Sequence, residues 1–273
     1  MSSSDISSYE KSLLLSQVLR EPIVKSIIES MQPTVSGSGL DIGCGTGLNT
    51  VMLAEAMGPA GRVIGLDNEE RFLTKARLLL KDKSVIKNRV AFTQGDAKRL
   101  PFADNSFDWA YSMDCVGAIS VDPLILLKEI SRVVKPGGKL CMAIWSSQML
   151  LPGYPLLEAR LNATSAGIAP FAAGMNPERH IMRAPGWFSQ AGFTDIHART
   201  LLRDICPPLS DEITAALTDL FIMRWGSCKK EVATEIWHDY QRLCNSDSNN
   251  FILNNPDYYA FFTYSLFWGR VGE

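Results

Sequence analysis

The sequence lacks several features that place proteins in specialised classes. Its 273 residues carry a formal net charge of −2, so no basic excess predicts a nucleic-acid or anionic-membrane partner. No apolar run approaches the length of a membrane span. The first residues, Met1–Asp5, are polar, and no apolar segment of the signal-peptide type follows them. These absences predict a cytoplasmic protein whose partner is neither nucleic acid nor membrane.

The cysteine pattern does not favour disulfide or metal chemistry. The six cysteines are scattered, with no CxxC pair and no Cys/His cluster, which predicts free thiols and no metal site. Hydrophobic residues make up 46% of the chain, enough for one large domain with a full core. The cysteines are Cys44, Cys115, Cys141, Cys206, Cys228 and Cys244.

What the chain does contain is a glycine-rich stretch, Leu40–Gly47, with the order strand, tight turn and helix. Glycines at alternate positions allow positive φ angles and let a ligand approach the backbone. The helix that follows would present unpaired N–H groups to polar or anionic ligand groups. The stretch therefore predicts a nucleotide-cofactor loop. A dinucleotide fingerprint would need a small residue where Leu48 stands, which disfavours an NAD-dependent oxidoreductase.

Two acids follow this loop at the ends of predicted strands. Asp67 stands twenty residues after Gly47, where a carboxylate can accept both ribose hydroxyls of a nucleotide; the alternative is a cap for the next helix. Asp96, within Gln94–Ala97, can accept an amino proton from an adenine ring, or can form an Asx turn.

Strands alternate with helices along the first half of the chain, which predicts a parallel sheet covered on both faces. Residues 146–182, rich in Pro, Gly, Ala and Met, are expected to be irregular. The predicted strands are Leu40–Ile42, Arg62–Asp67, Val90–Gln94, Phe107–Ser112, Lys139–Trp145, Phe193–Arg203 and Tyr258–Trp268. The predicted helices are two within Tyr9–Met31, with Pro22 near the start of the second, then Leu48–Met57, Glu69–Lys81 capped by Asn68, Pro123–Val134 capped by Asp122, Pro185–Ala191, Asp211–Trp225 and Lys229–Cys244.

Several motifs in a fixed order together resemble class I S-adenosylmethionine-dependent methyltransferases. The closest group is the small-molecule one that includes ubiquinone and menaquinone methyltransferases, and the resemblance covers roughly Val35–Arg203. The motifs are Leu40–Gly47, Asp67, Gln94–Ala97, Leu100–Phe102 with Phe107–Asp108, and Leu127–Glu129 through Val133–Gly138. Ser38 and Gly39 depart from the family, which usually has branched apolar residues there.

The resemblance implies an α/β fold, a Rossmann-like doubly wound seven-stranded sheet with the last strand antiparallel, plus helical cap insertions. The chain would be a single methyltransferase domain, 1–273. Its parts would be N-terminal helices in 1–34, a cofactor-binding core in 35–145, substrate-cap insertions in 146–182 and 204–257, and a final strand in 258–273.

The resemblance also implies S-adenosyl-L-methionine as the cofactor. Asp41 would lie near its methionine amine, Asp67 would hold the ribose, and Asp96 would contact the adenine amine. The full set of implied cofactor residues is Asp41, Gly43, Cys44, Gly45, Thr46, Gly47, Asp67, Asn68, Asp96, Ala97 and Ser112.

Methyl transfer from a sulfonium is an in-line displacement, so geometry supplies most of the gain and a base is needed only for a protonated nucleophile. Asp114 and His180 are the candidate catalytic residues; a loop-capping aspartate and a surface histidine are the alternatives. An apolar lining, or plain core packing, is predicted for Tyr154, Phe171, Met175, Met182, Phe221, Met223 and Trp225. Trp145 stands where a substrate-facing aromatic would lie.

The predicted partner is a small, hydrophobic or aromatic molecule, and the predicted assembly is a monomer or homodimer. A methyltransferase acting on a macromolecule is disfavoured, because Ser112–Cys115 does not match the Asn/Asp-Pro-Pro-aromatic motif of enzymes that methylate base amines. A non-catalytic protein that binds the adenosyl cofactor stays open as an alternative, since fold does not fix function.

Overall fold

A computed structural model describes residues 3–117, 121–169 and 175–272, with side chains from residue 9 onward. The chain divides into two compact units. The insertion unit consists of Met1–Pro22, Ser146–Met175 and Leu202–Thr263. The core unit consists of Ile23–Trp145, Asn176–Leu201 and Tyr264–Glu273.

Seven strands form one sheet. They are β1 Ser38–Ile42, β2 Arg62–Asp67, β3 Val90–Gln94, β4 Phe107–Met113, β5 Val134–Met149, β6 Phe193–Ile205 and β7 Ala260–Val271. The strand order is β3-β2-β1-β4-β5-β7-β6, and the pairs from β3 across to β5 are parallel. β7 is antiparallel to β5, because Ser146 faces Thr263 while Arg270 donates to the Gly137 carbonyl near the other end of β5. The predicted fold class is confirmed.

Ten helices accompany the sheet in the described residues. They are α1 Ser3–Leu15, α2 Gln17–Met31, α3 Leu48–Ala56, α4 Glu70–Leu79, α5 Pro123–Val133, α6 Pro155–Asn162, α7 Ser165–Ile168, α8 Ala184–Gln190, α9 Asp211–Trp225 and α10 Thr234–Cys244. The cap of α5 is the predicted one, since the Asp122 side chain accepts a hydrogen bond from the Leu124 N–H at 2.9 Å. No described helix has the length and apolar character needed to cross a membrane.

The register places the carboxyl ends of the parallel strands side by side. Ile42 of β1 pairs with Leu66 of β2 and with Ser112 of β4. Asp67 at the end of β2 pairs with Gln94 at the end of β3. In a doubly wound sheet this edge is where ligands bind, and it is the edge at which the glycine-rich stretch begins.

Packing explains why β1 has Gly39 where the family resemblance would lead one to expect a branched apolar residue. The Trp109 ring of β4 lies over Gly39, so a Cβ on this glycine would fall 2.0 Å from Trp109 Cζ2. The strand also begins earlier than predicted, at Ser38, whose N–H donates to Asp108 Oδ2 at 2.7 Å. The indole of Trp109 therefore occupies the volume that a branched residue at position 39 would fill.

A half-buried ion pair fixes the loop between β3 and β4. Glu129 of α5 accepts from the Leu100 N–H at 2.8 Å and pairs with Arg132. Arg132 in turn donates to the carbonyls of Leu100 and Phe102 at 3.1 and 2.9 Å. The Leu100–Phe102 motif and the Leu127–Glu129 motif are thus one hydrogen-bonded assembly.

Three local predictions were wrong. Pro22 lies inside α2 rather than near its start, because the break falls at Ser16, where Arg20 donates to the Leu13 carbonyl at 3.1 Å. The cap of α4 is not Asn68; the helix begins after Glu69, whose N–H donates to Asp67 Oδ1. The Lys135–Gly138 segment does not precede β5 but belongs to it.

The segment Lys135–Gly138 is accommodated as a bulge. Phe107 pairs with Val134 and Trp109 with Lys139, so four residues of β5 lie opposite Asp108 alone. Lys135 Nζ donates to Asp108 Oδ1 at 2.7 Å and closes the bulge. The strand also continues past Trp145 to Met149.

The expectation of an irregular segment in 146–182 was also wrong, because α6 and α7 lie within it. Pro155 occupies the first turn of α6, which suits proline, and Leu157 and Leu161 are buried.

The hydrophobic core of the core unit lies on the strands and on α5 and α8. It includes Leu40, Ile42, Leu127, Ile130 and Trp187.

Candidate functional site

The glycine-rich stretch forms a tight turn between β1 and α3. Gly43, Gly45 and Gly47 have φ angles of 74°, 53° and 81°. The N–H groups of Gly43 and Cys44 both donate to the Leu66 carbonyl of β2, at 2.8 and 3.0 Å. The loop is therefore anchored to the neighbouring strand, and its conformation is one that residues with a Cβ rarely adopt.

Gly47 is the N-cap of α3 and has no side chain with which to cap it. A Cβ there would lie 2.6 Å from Phe92 Cζ and 2.7 Å from Ala76 Cβ. The helix thus begins without a side-chain acceptor for its first N–H groups, and its first turn carries no acidic residue. Polar groups of a ligand can occupy this position.

Asp67 links the end of β2 to the glycine loop. Its Oδ2 accepts the Gly45 N–H at 2.8 Å, and its Oδ1 accepts the Glu69 N–H at 3.0 Å. The side chain is buried, and desolvation raises the pKa of Asp67. The two backbone hydrogen bonds lower the pKa, but by less than desolvation raises it. Each oxygen keeps capacity for a second hydrogen bond from a ligand hydroxyl.

Asp41, in β1, is 1% exposed. Its Oδ2 accepts a hydrogen bond from the Thr50 hydroxyl of α3 at 2.6 Å. Burial, together with the nearby charge of Asp67, raises the pKa of Asp41 to about 7 against the lowering by the Thr50 hydrogen bond. A buried carboxylate whose charged neighbour is another carboxylate is a favourable site for a cationic group.

Two thiols lie in the same electrostatic environment. Burial, with the charges of Asp41 and Asp67, raises the pKa of the Cys44 thiol well above its ordinary range. Burial and the same two charges raise the pKa of Cys115 to about 12. Both cysteines are therefore neutral packing residues, and the charge at this edge of the sheet is negative.

Asp96 and Ala97 follow β3. Asp96 is exposed, its Oδ1 accepts the Lys98 N–H at 2.9 Å, and that bond lowers the pKa of the carboxyl group. This is the Asx turn considered from the sequence. Ala97 is half-buried against the core, while the Asn68 carbonyl accepts a bond from Gln94 Nε2 at 3.0 Å.

Thr46 and Ser112 complete the set. Thr46 is 5% exposed in the loop, and Ser112 is fully buried at the end of β4. The Ser112 hydroxyl accepts the Val116 N–H at 3.2 Å and so shapes the turn that follows the strand. The structure thus places all eleven predicted cofactor residues on the carboxyl edges of β1, β2, β3 and β4 or on the turns that follow them.

Asp114 follows β4 and contacts two other strands. Its Oδ1 accepts the Trp145 N–H of β5 at 3.1 Å, and its Oδ2 accepts the Tyr264 hydroxyl of β7 at 2.7 Å. Sequence reasoning missed Tyr264, because only the alternation of β7 was visible and its partner lies 150 residues away.

His180 has a different surrounding. Its Nδ1 accepts the Met182 N–H at 3.3 Å, so His180 caps the short 3-10 helix Ile181–Arg183. The hydrogen bond is exposed at the surface. Among the aromatic and methionine candidates, Phe221 and Trp225 are buried and stacked with ring centroids 5.8 Å apart. Tyr154, Met182 and Met223 are exposed, and Phe171 lies outside the described residues.

Within the described ranges, no group of three or more His, Cys, Asp or Glu side chains is arranged to hold a metal ion. Four of the six cysteines are buried free thiols, Cys115 is half-buried and Cys206 is exposed.

Residues 40–142 match the Methyltransferase domain family, Methyltransf_11. The chain is 39% identical over 137 residues to a demethylmenaquinone methyltransferase of Staphylococcus carnosus, a match that spans 48% of this chain and 54% of the relative. It is 38% identical over 136 residues to the same-named protein of Staphylococcus aureus strain JH9, spanning 50% of this chain and 54% of the relative. The chain thus spans about half the length of these curated relatives.

Solved structures share the fold at low sequence identity. A phosphoethanolamine N-methyltransferase 2 of Haemonchus contortus, in complex with S-adenosyl-L-methionine, is 18% identical with a TM-score of 0.57, covering 97% of this chain and 57% of its own. YcgJ of Bacillus subtilis is 19% identical with a TM-score of 0.54, covering 92% and 98%. The [4+2]-cyclase SpnF is 19% identical with a TM-score of 0.55, covering 92% and 81%. The fold is shared throughout these structures, and residues 40–142 of this chain are similar to the methyltransferase domain family.

Proposed function

We propose that the protein transfers a methyl group from S-adenosyl-L-methionine to a small hydrophobic or aromatic molecule. The observation that carries this proposal is the negative charge beside the glycine loop, where Asp41 and Asp67 are both buried. The pyrophosphate of a dinucleotide would bring further negative charge against these carboxylates. A cofactor with a sulfonium and an amine brings positive charge instead.

In this proposal Asp41 receives the cofactor's methionine amine. A cationic amine near the carboxylate would offset the desolvation that raises the pKa of Asp41. The Thr50 hydroxyl, on Asp41 Oδ2, fixes the rotamer of this side chain. The glycine loop, Gly43–Gly47, supplies backbone approach and the N-terminus of α3.

Asp67 then accepts the ribose hydroxyls while its two backbone bonds hold the carboxylate in place. Asn68 and Ala97 would flank the adenine, and Asp96 would accept a proton of the adenine amine. Ser112 would line the methionine portion through its backbone. These roles are the ones that the resemblance implies, and each falls at the strand edge described above.

The cofactor supplies a methyl group on a positively charged sulfur. The chain has to orient the acceptor in line with that methyl group, exclude water and receive any proton that the acceptor loses. Asp114 is proposed to face the acceptor. His180 is the second candidate base in this proposal. It ranks below Asp114, because its Nδ1 accepts the Met182 N–H and caps a turn.

The substrate class is proposed from the similarity to the demethylmenaquinone methyltransferases, which are named for a quinone. We assign substrate selection to the insertions 146–182 and 204–257, because the family match at 40–142 includes neither. We further propose the whole chain, 1–273, as one functional domain that acts in the cytoplasm as a monomer or homodimer. Light scattering of the purified protein measures the assembly.

Melting of the purified protein tests the cofactor. S-adenosylmethionine and S-adenosylhomocysteine should each raise the melting temperature, and NAD should not. A ligand at ~100 times its dissociation constant adds about 2.7 kcal/mol of stability. The absence of a shift with both adenosyl compounds, in protein shown to be free of copurified cofactor, would contradict the proposal.

Asp67→Asn tests the ribose contact. We expect it to weaken S-adenosylhomocysteine binding by about 10- to 100-fold, the range for a hydrogen bond to a charged group. The matched control is Asp247→Asn, an exposed aspartate outside the strand edge, which should bind as the wild type does. Equal affinity of the two variants would mean that Asp67 does not hold the ribose.

A second candidate is a reaction other than methyl transfer, since the same fold is found in the cyclase SpnF. Formation of S-adenosylhomocysteine in the presence of a pool of aromatic hydroxyl compounds distinguishes the two. Binding of the cofactor without this product in every acceptor mixture would favour the second candidate.

A further inference from the structure

A second cleft lies at the amino edge of the sheet, opposite the edge at which the glycine loop begins. It has a volume of about 380 Å³, and the first residues of β1, β2, β3 and β4 line it. All of its lining residues belong to the core unit. This volume is near the lower end of the range for ligand pockets, so the amino-edge cleft suits a small molecule.

The topology explains why this cleft is open. The connection between β3 and β4, residues 95–106, is described throughout and contains no helix, whereas the neighbouring connections contain α3, α4 and α5. In a doubly wound sheet, a helix in each connection covers one face of the strands. The face of β2 and β3 opposite α4 is therefore left partly uncovered.

The side chains on that face are apolar and leave space. Phe92 of β3 faces α4, because it lies with Ala76 of that helix against Gly47. Ala91 precedes Phe92 in the strand and so points to the opposite face, where it pairs with Ile64 of β2. Ala91 is exposed and Ile64 is half-buried, although both lie within strands of the sheet. The short side chain of Ala91 thus leaves apolar volume open beside Ile64.

An aromatic side chain forms another wall of the cleft. The rings of Phe102 and Phe107 meet edge to face, with centroids 5.0 Å apart. Phe107 is buried, whereas Phe102 is half-buried and packs against the core. The Phe102 carbonyl accepts a hydrogen bond from Arg132 at 2.9 Å, which fixes the backbone that carries this ring. The ring of a ligand would therefore meet a wall that is already ordered.

The two charged residues that line the cleft are both arginines, Arg62 and Arg89. Arg89 is anchored, since its Nη1 donates to the carbonyls of Ala54 and Gly58 at 3.1 and 2.9 Å. Arg62 is exposed and precedes Ile64 by two residues in β2, so its side chain leaves the strand on the open face. Among the described residues, none makes a hydrogen bond or ion pair with the Arg62 guanidinium group.

The carboxylate bonded to this edge of the sheet is already paired. Asp108 accepts the N–H of the lining residue Ser38 at 2.7 Å, and Lys135 Nζ donates to its other oxygen at 2.7 Å. Lys135 offsets the charge of Asp108, so the charge of Arg62 is left for a ligand. The cleft thus combines apolar walls with a positive charge.

We propose that the amino-edge cleft binds a small carboxylate that carries an aromatic ring. The ring lies against Ile64, Ala91 and Phe102, and the carboxylate lies on Arg62. The planar guanidinium group matches a carboxylate through two parallel N–H···O bonds. A simple inorganic anion would leave the apolar walls in contact with water, and a neutral ring would leave the arginine unpaired. This ligand is additional to the cofactor and acceptor of the proposed methyl transfer.

Equilibrium dialysis with cinnamate and cinnamamide tests the charge contact. The two probes have nearly the same shape, and only cinnamate is an anion. At low ionic strength cinnamate should bind about fivefold more tightly, the effect of an exposed ion pair at the upper end of its range. The preference should shrink at high salt, because the charge of Arg62 is exposed to solvent. Excess acetate, which has the carboxylate without the ring, should not compete.

Two variants separate the charge from the volume. Arg62→Gln should remove most of the preference for cinnamate and leave the affinity for cinnamamide unchanged. Ala91→Leu should weaken both probes about fivefold and leave the preference intact, because the larger side chain takes the volume of the ring. A variant that failed to fold would lose both probes and the preference together, so neither signature can arise from unfolding.

Arg160→Gln is the matched control, since Arg160 is an exposed arginine of α6 in the insertion unit. It should keep the wild-type affinity for both probes. The three substituted side chains are exposed, so all three variants should keep the urea midpoint of the wild type.

Nuclear Overhauser effects locate the bound probe. Contacts from the ring protons of cinnamate to the Ala91 methyl group are expected, and they should persist in saturating S-adenosylhomocysteine. The proposal is overturned if the two probes bind equally, if acetate competes as well as cinnamate, or if Arg160→Gln loses as much as Arg62→Gln. Displacement of cinnamate by S-adenosylhomocysteine would place the probe at the opposite edge and also overturn it. Failure of S-adenosylhomocysteine to bind would contradict the proposed function alone.

Discussion

Glu158 of the insertion unit and Asp41 of the core unit are both buried carboxyl groups whose pKa is raised by desolvation, and they differ in the hydrogen bonds and charges that act against it. Glu158 of α6, in the insertion unit, is 4% exposed and accepts the N–H groups of Leu150 and Leu151 at 2.9 to 3.0 Å. The positive charge of Arg224 also acts on Glu158. Asp41 of the core unit accepts one bond, from Thr50, and the charge that acts on it is that of Asp67.

The contrast separates a structural carboxylate from one arranged for a ligand. Glu158 obtains its hydrogen bonds and its compensating charge from the protein itself, so its burial fixes the Leu150–Tyr154 turn. Asp41 has its desolvation offset by one neutral hydroxyl and aggravated by a like charge. A buried group that the fold leaves electrostatically unbalanced is a candidate binding group, because a ligand can supply the missing charge.

Removal of the Glu158 carboxylate should give the largest effect. Glu158→Ala leaves two buried backbone N–H groups without their acceptor, at about 1–3 kcal/mol each, so a loss of about 4 kcal/mol is expected. Urea unfolding measures it. Glu231→Ala is the control, since Glu231 is an exposed glutamate of the same unit that accepts from Ser165, and its loss should be much smaller. Equal losses would contradict the structural role of Glu158.

Substitution of Asp41 should increase the free energy of unfolding, and the size of the increase should depend on pH. The folded-state pKa of about 7 lies above the ordinary value of 3.8, so between these pH values the folded protein binds more protons than the unfolded chain. Stability without cofactor should therefore fall as pH rises from 4 to 7. Asp41→Asn keeps an acceptor for Thr50 and removes the charge.

The difference in unfolding free energy between the wild type and Asp41→Asn isolates the titration of the Asp41 carboxyl group. Between pH 5 and pH 8 the unfolding free energy of the wild type should fall by about 2–3 kcal/mol relative to that of Asp41→Asn. Urea unfolding at four pH values measures the difference, in which all other titrating groups cancel. A variant that is less stable than the wild type at pH 8 would show that Asp41 is already balanced by the fold.

Much of the fold could be predicted because its determinants are local. The cap of α5 by Asp122 followed from Asp-Pro, and the strands β2 and β3 had the predicted bounds. The sequence-based predictions were incomplete where contacts between residues distant in the sequence determine the local structure. The Trp109 ring makes Gly39 acceptable in β1, and the Asp108–Lys135 pair keeps a bulge within β5. Neither contact leaves a periodic signal in the sequence.

The candidate site shows the same division. The glycine loop and Asp67 lie near each other in sequence, and spacing located them. Tyr264 lies 150 residues from Asp114, and only the sheet order, in which β5 separates β4 from β7, brings them together. His180 was considered for its residue type, whereas its surroundings make it a turn cap.

Two glycines with positive φ angles give the smallest contrast between the regions. Gly47 of the loop has φ 81° and Gly153, in the turn beside Glu158, has φ 86°. Alanine at either position should cost about 1 kcal/mol for the left-handed backbone. At Gly47 its Cβ would also lie 2.6 Å from Phe92 Cζ, whereas at Gly153 no atom lies within 4 Å.

Gly47→Ala should therefore lose about 1–2 kcal/mol more than Gly153→Ala in urea unfolding, the usual cost of overpacking. It should also weaken S-adenosylhomocysteine binding, because the N-terminus of α3 has to move to relieve the contact. Gly153→Ala should leave that affinity unchanged. If the two variants lost equal stability and both bound the cofactor normally, the close packing of Gly47 would have no part in shaping the loop for a ligand.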